Sequence, residues 1–409
     1  MPPDSLLDRL EHLELSAQPD FIFESVCIAS KRLRSLCLHL TVGHSATVTL
    51  DCPALETITG LPQEKSELEE EDEPYDLVLE CPRLRSVQGL PATVTVQLPP
   101  VMPDLVLVEA AEAPCCESAW LPQLLAAALR LREARLREVC LGSGETLAQL
   151  LASRTLTHLQ LTLGDGALPA SNIRKGGKLV LPAQLTHADI KMPTGGSLAQ
   201  QIVAQGLRNL RLHGGSAVSS RVTIICPALT TLTIDLGGRV AFVVAKGAPR
   251  FFELGCCDEA VGSSLVAFLS STGGAAARLR RVVLRQIVPD PRWPQVMAAL
   301  AGLPLLASLV LTDTGGSQAS TDIPFSLSSP SLRHLFIRNL QVSALELNCP
   351  LLEELWTPFE HICRFALTGP APRQGTMRRI GHIRPGTWAA KEMGRRFPGA
   401  LLWGRHGRL

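Results

Sequence analysis

VTIICPALTTLTI, Val222 to Ile234, places two short apolar alternations on either side of a Cys-Pro pair. VTLDCPALETI, Val48 to Ile58, repeats the arrangement. Alternation with a period of two puts Val222 and Ile224 on one face of a strand, and Leu232 and Ile234 on one face of another. Each stretch therefore reads as strand, corner, strand. The cysteine could be a metal ligand, a redox group or a packing residue. Structural zinc uses closely spaced pairs such as C-x-x-C with a second matching pair, and no C-x-x-C occurs in the chain. Free Cys is a small, usually buried hydrophobe, and Pro lacks the N–H that would extend strand pairing. The pair reads as a packed corner.

Aligning on the Leu that follows each Cys-Pro gives an L-x-x-L-x-L register. It starts at Leu33, Leu55, Leu84, Leu136, Leu156, Leu185, Leu207, Leu229, Phe251, Leu279, Leu306, Leu332 and Leu352. Neighbouring starts lie 20 to 29 residues apart, except for one gap of 52 that leaves room for an irregular unit near Leu105 to Val108. One such unit cannot bury its own apolar face, so the pattern demands stacking of neighbours.

With this period the chain resembles the leucine-rich repeat superfamily over residues 31–358. It is locally similar to the Cys-containing C-P-x-L-x-x-L-x-L repeats of F-box proteins. Cys52-Pro53, Cys81-Pro82, Cys226-Pro227 and Cys349-Pro350 carry the motif, and Ala248-Pro249 and Ser329-Pro330 relax it. Where the family has Asn or Cys after L-x-L, this chain has Gly, Thr or Asp, as in LRLHGG and LVLTDTGG. The resemblance implies an α/β leucine-rich repeat solenoid with a curved parallel β-sheet. It also implies a non-enzymatic adaptor for a protein partner, in F-box proteins a substrate-recognition subunit of a ubiquitin ligase. No F-box is recognisable before Leu33, so that last role would draw on another subunit.

The residues before each corner suggest a mixed outer side. TVTL, DLVL, RVTI and ALEL alternate and read as short outer strands. Longer units have room for helices, at Ser118 to Val139 and at Pro289 to Pro304, the latter closed by Gly-Leu-Pro. The expected organisation is an N-terminal cap (1–30), the array (31–358) with an acidic loop (63–76), and a C-terminal cap with a basic tail (359–409).

Composition narrows the function. Hydrophobic residues make up 46% and charged residues 19%, which supplies a core. A net charge of +1 gives no global pull toward nucleic acid or membrane. The acidic start MPPDSLLDRLEHLELSAQPD does not read as a secretory signal, and no uninterrupted apolar run reaches the roughly 18 residues of a membrane span. The 12 cysteines then read as reduced thiols of the cytoplasm or nucleus. GHSAT at Gly43 to Thr47 has Ala46 where a nucleophile elbow needs Gly, and reads as a link between two strands. GSGET at Gly142 to Thr146 lacks a P-loop lysine and reads as a loop before the helix TLAQLLAS. No catalytic residue, metal site or cofactor motif follows.

Two segments carry unbalanced charge. Gln63 to Asp76 holds eight acids against Lys65, as a solvated loop or a dock for a basic partner. Beyond Pro370 nine basic residues face one acid, Glu392, with Trp388, Phe397 and Trp403 interleaved. That tail is either a cap closing the last coil or, as an alternative function, a nucleic-acid contact using phosphate pairing and base stacking.

In a leucine-rich array, binding residues are the solvent-facing strand positions. The register gives Ser35 and His39; His158, Gln160 and Thr162; His187, Asp189 and Lys191; Asn209, Arg211 and His213; Thr231, Thr233 and Asp235; Arg281 and Arg285; His334, Phe336 and Arg338; and Glu354 with Trp356. Phe336, Arg338 and Trp356 would be neighbours on adjacent strands, and binding hot spots favour Trp and Arg.

Overall fold

The structure is a computed structural model. It describes residues 9–17, 21–61, 63–64, 75–90, 94–110, 120–141, 144–163, 177–191, 201–214, 220–236, 240–255, 259–270, 274–285, 292–312, 323–340, 342–357, 362, 364–367, 377–381, 388–397, 399–404 and 407–408. The chain divides into two compact units, Met1–Ala199 with Ala204–Leu207, and Gln200–Val203 with Arg208–Leu409.

Both units grow from the corner. Leu55 N–H donates to the Cys52 carbonyl at 2.9 Å, and the same turn closes at Cys81–Leu84 (3.2 Å), Cys226–Leu229 (3.1 Å) and Cys349–Leu352 (3.1 Å). Pro is the second residue of each turn, where its fixed φ fits. The thiols are buried and donate to a carbonyl of the preceding coil: Cys52 to Ile28 (3.5 Å), Cys81 to Leu50 (3.3 Å) and Cys349 to Leu327 (3.7 Å). Burial pushes these thiols up, Cys81 to about 12 and Cys349 to about 11. They stay protonated donors rather than nucleophiles. Ser329, also fully buried, takes the same place beside Pro330.

After the corner, each coil docks on the last through one shared acceptor. The Arg34 carbonyl takes the N–H bonds of both Glu56 and Thr57 (2.8 and 3.0 Å), and the Arg208 carbonyl those of Thr230 and Thr231 (2.8 and 2.9 Å). Such repeated bonding sets successive leucine strands in parallel register, one coil apart.

In the first unit, leucine strands at His12–Ser16, Ser35–His39, Thr57–Thr59, Ser86–Leu90, Leu107–Ala110, Glu133–Leu141, His158–Leu163 and His187–Lys191 pair in that order, all parallel. A second parallel sheet forms from the strands that precede the corners, Ile22–Ala29, Thr41–Asp51, Asp76–Leu79 and Thr95–Gln97. Helices at Trp120–Ala127 and Gly144–Ala152 replace such strands in later coils. Between the layers Leu33, Leu36, Leu55, Ile58 and Leu84 are completely buried, each contributing roughly 1.5–3 kcal/mol by removal from water.

In the second unit the leucine strands are Asn209–Gly214, Thr231–Leu236, Phe251–Leu254, Arg281–Arg285, Ser308–Thr312, His334–Arg338, Glu354–Trp356, Arg379–Gly381 and Leu401–Gly404. They too pair in chain order and in parallel. An antiparallel return at Gly407–Arg408 ends the run. Pre-corner strands form two further parallel groups, Gln201–Val203, Ser220–Ile225 and Val240–Lys246, and then Ile323–Ser328, Val342–Asn348 and Arg364–Leu367. Helices Glu259–Leu269 and Trp293–Ala301 lie between these groups in sequence. Phe242, Phe252 and Phe268 meet at 4.9 to 5.9 Å to anchor the first of them.

The protein is thus mostly parallel β-structure with few helices, an α/β arrangement compatible with a solenoid. Outer strands occur where TVTL, DLVL, RVTI and ALEL suggest them. The register differs from the sequence reading at two coils. Val108 pairs with both Val87 and Ala134, so the gap of 52 holds regular coils starting at Leu105 and Leu131, and the start is not Leu136. Phe252 pairs with Leu232, which puts buried Pro249, not Phe251, in the leading Leu position. The expected helix Ser118 to Val139 is helical only over Trp120–Ala127 among described residues, because Ala134 and Leu136 are claimed by the sheet. GHSAT lies inside the strand Thr41–Asp51, not between strands, as a bulge opposite Phe23 to Ser25. In GSGET the helix already begins at Gly144. Of the acidic segment, Gln63–Glu64 pair with Thr41 and Val42 and Tyr75 is fully buried; 65–74 lie outside the described residues, as do Cys115-Cys116, Cys256-Cys257 and Cys363.

Candidate protein-binding face

Strand alternation makes the face. In His334–Arg338, Leu335 and Ile337 are buried while His334, Phe336 and Arg338 look the other way. Parallel in-register pairing turns such residues into columns across the sheet. In the second unit one column runs Phe251, Arg281, Ser308, His334, Glu354 and Arg379, and the next runs Glu253, Val283, Val310, Phe336, Trp356 and Gly381. A third holds Arg285, Thr312 and Arg338.

Most of the strand positions read as partner-binding lie exposed or partly exposed on a leucine strand. In the first unit these are His158, Gln160, His187, Asp189 and Lys191; in the second, Asn209, Arg211, His213, Arg281, Arg285, His334, Phe336, Arg338, Glu354 and Trp356. Thr162 differs from expectation and is buried. It lies one residue before the end of its strand at Leu163.

The first unit builds a polar cluster. The imidazoles of His158 and His187 stack at 4.2 Å, only 11° from parallel. Thr157 Oγ1 donates to the Arg132 carbonyl (3.1 Å) and Thr186 Oγ1 to the Thr157 carbonyl (3.0 Å). Each hydroxyl also lies 2.9 Å from Nδ1 of the adjacent ring, and where its proton is given to the carbonyl it accepts from that ring, an arrangement that favours the Nδ1–H tautomer of His158 and His187. Beside them Gln160 Nε2 donates to Asp189 Oδ2 at 3.0 Å. Arg135 bridges Glu133 (2.7 Å) and Glu109 (3.1 Å), and Glu133 beside it raises the affinity of its guanidinium for the proton still further. Parallel rings direct their ring lone pairs side by side rather than toward one point, which suits a stacking platform better than a shared metal. Among the described residues no three His, Cys, Asp or Glu side chains converge in a way that could hold a metal ion.

The second unit builds an apolar strip with a cationic rim. Phe336 and Trp356 stack at 6.3 Å and 16°, with Val310 beside Phe336 on the next strand. On its far side the Trp356 indole lies over Gly381, where any Cβ would overlap the ring, so only glycine leaves room for it. Around the strip the carboxylates are already engaged. Glu253 pairs with Arg285 at 2.6 Å, and Glu354 sits between Arg379 (3.3 Å) and His334 Nδ1 (3.6 Å). The acids are recessed and the bases stand proud: Glu253 and Glu354 are 18% and 20% exposed, Arg285 and Arg379 53% and 54%. Arg281 lies over the Phe251 ring at 5.5 Å. Arg338 is exposed and has no ion-pair partner among the described residues.

Sequence reasoning found Phe336, Arg338 and Trp356 by counting along L-x-x-L-x-L. It missed Gly381, Arg379 and Glu253, since 379–381 was assigned to the cap and Glu253 lay in a coil read two residues out of register. Among the described basic residues of the tail, four arginines lie beside carboxylates of the chain itself. Arg378 reaches Glu353 at 3.7 Å, and Arg395 and Arg396 bind Glu392 at 2.9 and 2.6 Å. Those two guanidinium groups hold the Glu392 carboxyl down at about 2.

No family model matches the chain, and no curated protein matches it in sequence. No helix among the described residues is long and apolar enough to cross a membrane.

Proposed function

We propose that the protein is a non-enzymatic interaction scaffold of the leucine-rich repeat kind, which captures a protein partner on the solvent-facing side of its leucine strands. The observation that carries this reading is the Val310–Phe336–Trp356 strip, apolar side chains held partly exposed on a rigid sheet and ringed by arginines. Aromatic anchors inside a polar rim are the usual composition of a binding hot spot. The period of L-x-x-L-x-L units and the Cys-Pro corners support the repeat assignment. A ubiquitin-ligase adaptor is one form the scaffold could take, and cullin-complex subunits among captured proteins would argue for it.

The test is affinity capture with mass spectrometry, comparing the wild-type chain with a Phe336→Ala, Arg338→Ala double variant. Partners should be lost from the variant while its melting temperature stays within a few degrees of wild type. A large drop in melting temperature with unchanged capture would remove the reading.

The nucleic-acid alternative is separated from this reading by removing residues beyond Pro370 and measuring salt-dependent RNA binding, which that alternative requires the removal to abolish.

A further inference from the structure

The rim around Phe336 and Trp356 carries a sign, and the strand geometry gives that sign a spacing. We infer that this face takes an extended acidic peptide with one central aromatic anchor, in the pattern acid–x–aromatic–x–acid. The inference rests on the docking reading above and specifies its ligand.

Charge is the first argument. Near the strip, the carboxylates Glu253 and Glu354 are less exposed than the arginines that bind them, so an approaching chain meets guanidinium groups first, while exposed Asp235 lies four strands away from Phe336. Arg281 and Arg338 add positive charge and form no ion pair with a described residue. An acidic ligand would gain several weak, rim-exposed attractions, whereas a basic one would be repelled at every approach.

Spacing is the second argument. Residues two apart on a strand are about 6.6 Å apart, so cations flank the Phe336 column on both sides at that distance. Arg281 and Arg379 lie in the column on one side, where Glu354 is paired with Arg379, and Arg338 and Arg285 lie in the column on the other. An extended ligand lying along the strand direction has the same rise per residue. With an aromatic side chain seated against Phe336 and Trp356, its residues two before and two after fall over the two cationic columns. Acids at those two places match the rim, and the intervening residues point away. The indole held between Phe336 and Gly381 gives the anchor a preformed flat wall, which lowers the ordering penalty of binding.

The test uses two fluorescein-labelled peptides, Glu-Ser-Phe-Ser-Glu and its uncharged isostere Gln-Ser-Phe-Ser-Gln, titrated with the full chain and followed by fluorescence anisotropy. The acidic peptide should bind about tenfold tighter in dilute buffer, and the gap should close at high salt and in Arg338→Gln. Phe336→Ala should weaken both peptides, with circular dichroism confirming that each variant is folded. Equal binding of the two peptides, still lost in Phe336→Ala, would overturn the acidic preference and leave the docking face standing. Absence of any Phe336-dependent binding would overturn the inference outright. The docking reading itself would fall only if the double variant also captured partners as well as wild type.

Discussion

Raising the pH should loosen the fold through its corner thiols, and Cys81 is where the effect can be isolated. An ordinary thiol titrates at 9.0, and burial holds Cys81 at about 12 in the folded chain. The folded-state value is raised, so its contribution to stability is complete below the unfolded value. It is lost as pH climbs from about 9 toward 12, because only the unfolded chain releases the proton in that window. Each unit of pH inside the window removes about 1.4 kcal/mol, so at pH 10.5 the deficit from this one group is about 2 kcal/mol, against almost nothing at pH 8. Lysines and the tyrosine titrate over the same range, so the useful quantity is a double difference. Cys81→Ser keeps a hydroxyl proton to offer the Leu50 carbonyl, uses a residue type already buried at the equivalent corner as Ser329, and removes the titration. Urea unfolding followed by circular dichroism at pH 8 and pH 10.5 gives four stabilities. Wild type should lose about 2 kcal/mol more than Cys81→Ser between the two pH values. If both chains decline by the same amount, within the error of extrapolation, Cys81 is not held protonated by burial and the account of the corner fails.

Two further outcomes follow from single contacts. Gly381→Ala adds a Cβ inside the Trp356 ring; overpacking of this kind costs about 1–3 kcal/mol, and urea unfolding should show that loss together with a change in Trp emission as the indole leaves Phe336. An Ala variant as stable as wild type with unchanged emission would mean that Trp356 does not rest on Gly381. Thr157→Val removes the acceptor that favours the His158 ring proton at Nδ1; ring nitrogen NMR shifts should move from the Nδ1–H form toward the commoner Nε2–H form, and an unmoved spectrum would show that the hydroxyl does not set the tautomer.

Most of the fold was legible because one constraint repeats. A leucine strand must hide its second and third apolar residues, and a corner must follow each pre-corner strand, so Cys-Pro-x-Leu and the alternation identify each other. The reading slipped where another residue filled a leucine position. Ala134 stands where a second Leu is expected, and the nearby Leu136 drew the register five residues downstream to a false start. Pro249 stands in the leading position of its coil, and the two phenylalanines after it invited alignment on the wrong one. The helix read over Ser118 to Val139 failed for a related reason. REARLREV has helix-favouring residues, but burying Ala134 and Leu136 against neighbouring coils outweighs propensity worth only tenths of a kcal/mol per residue. Of the site, side-chain identity on the exposed columns could be read, because it needs only register. Which carboxylates lie under which arginines could not, since Glu253 with Arg285, and Glu354 with Arg379, are partners across strands far apart in sequence.

The alternation that hides Leu335 and Ile337 and exposes Phe336 on the same strand separates core from surface at the level of single residues. Residues facing the core are constrained by the coils above and below them. Those facing outward are constrained by their column neighbours alone, and a polar column can change composition at little cost. Trp356 breaks this separation. Its ring covers Gly381 and its indole nitrogen is buried, so a residue on the solvent-facing side has acquired the packing demands of a core residue. A scaffold that needed only a stable sheet would meet those demands more cheaply with a small polar residue at 356. On the proposed docking function, a large aromatic held in place by a glycine, stacked on a second ring and surrounded by exposed guanidinium groups is accounted for by the partner it would meet from outside.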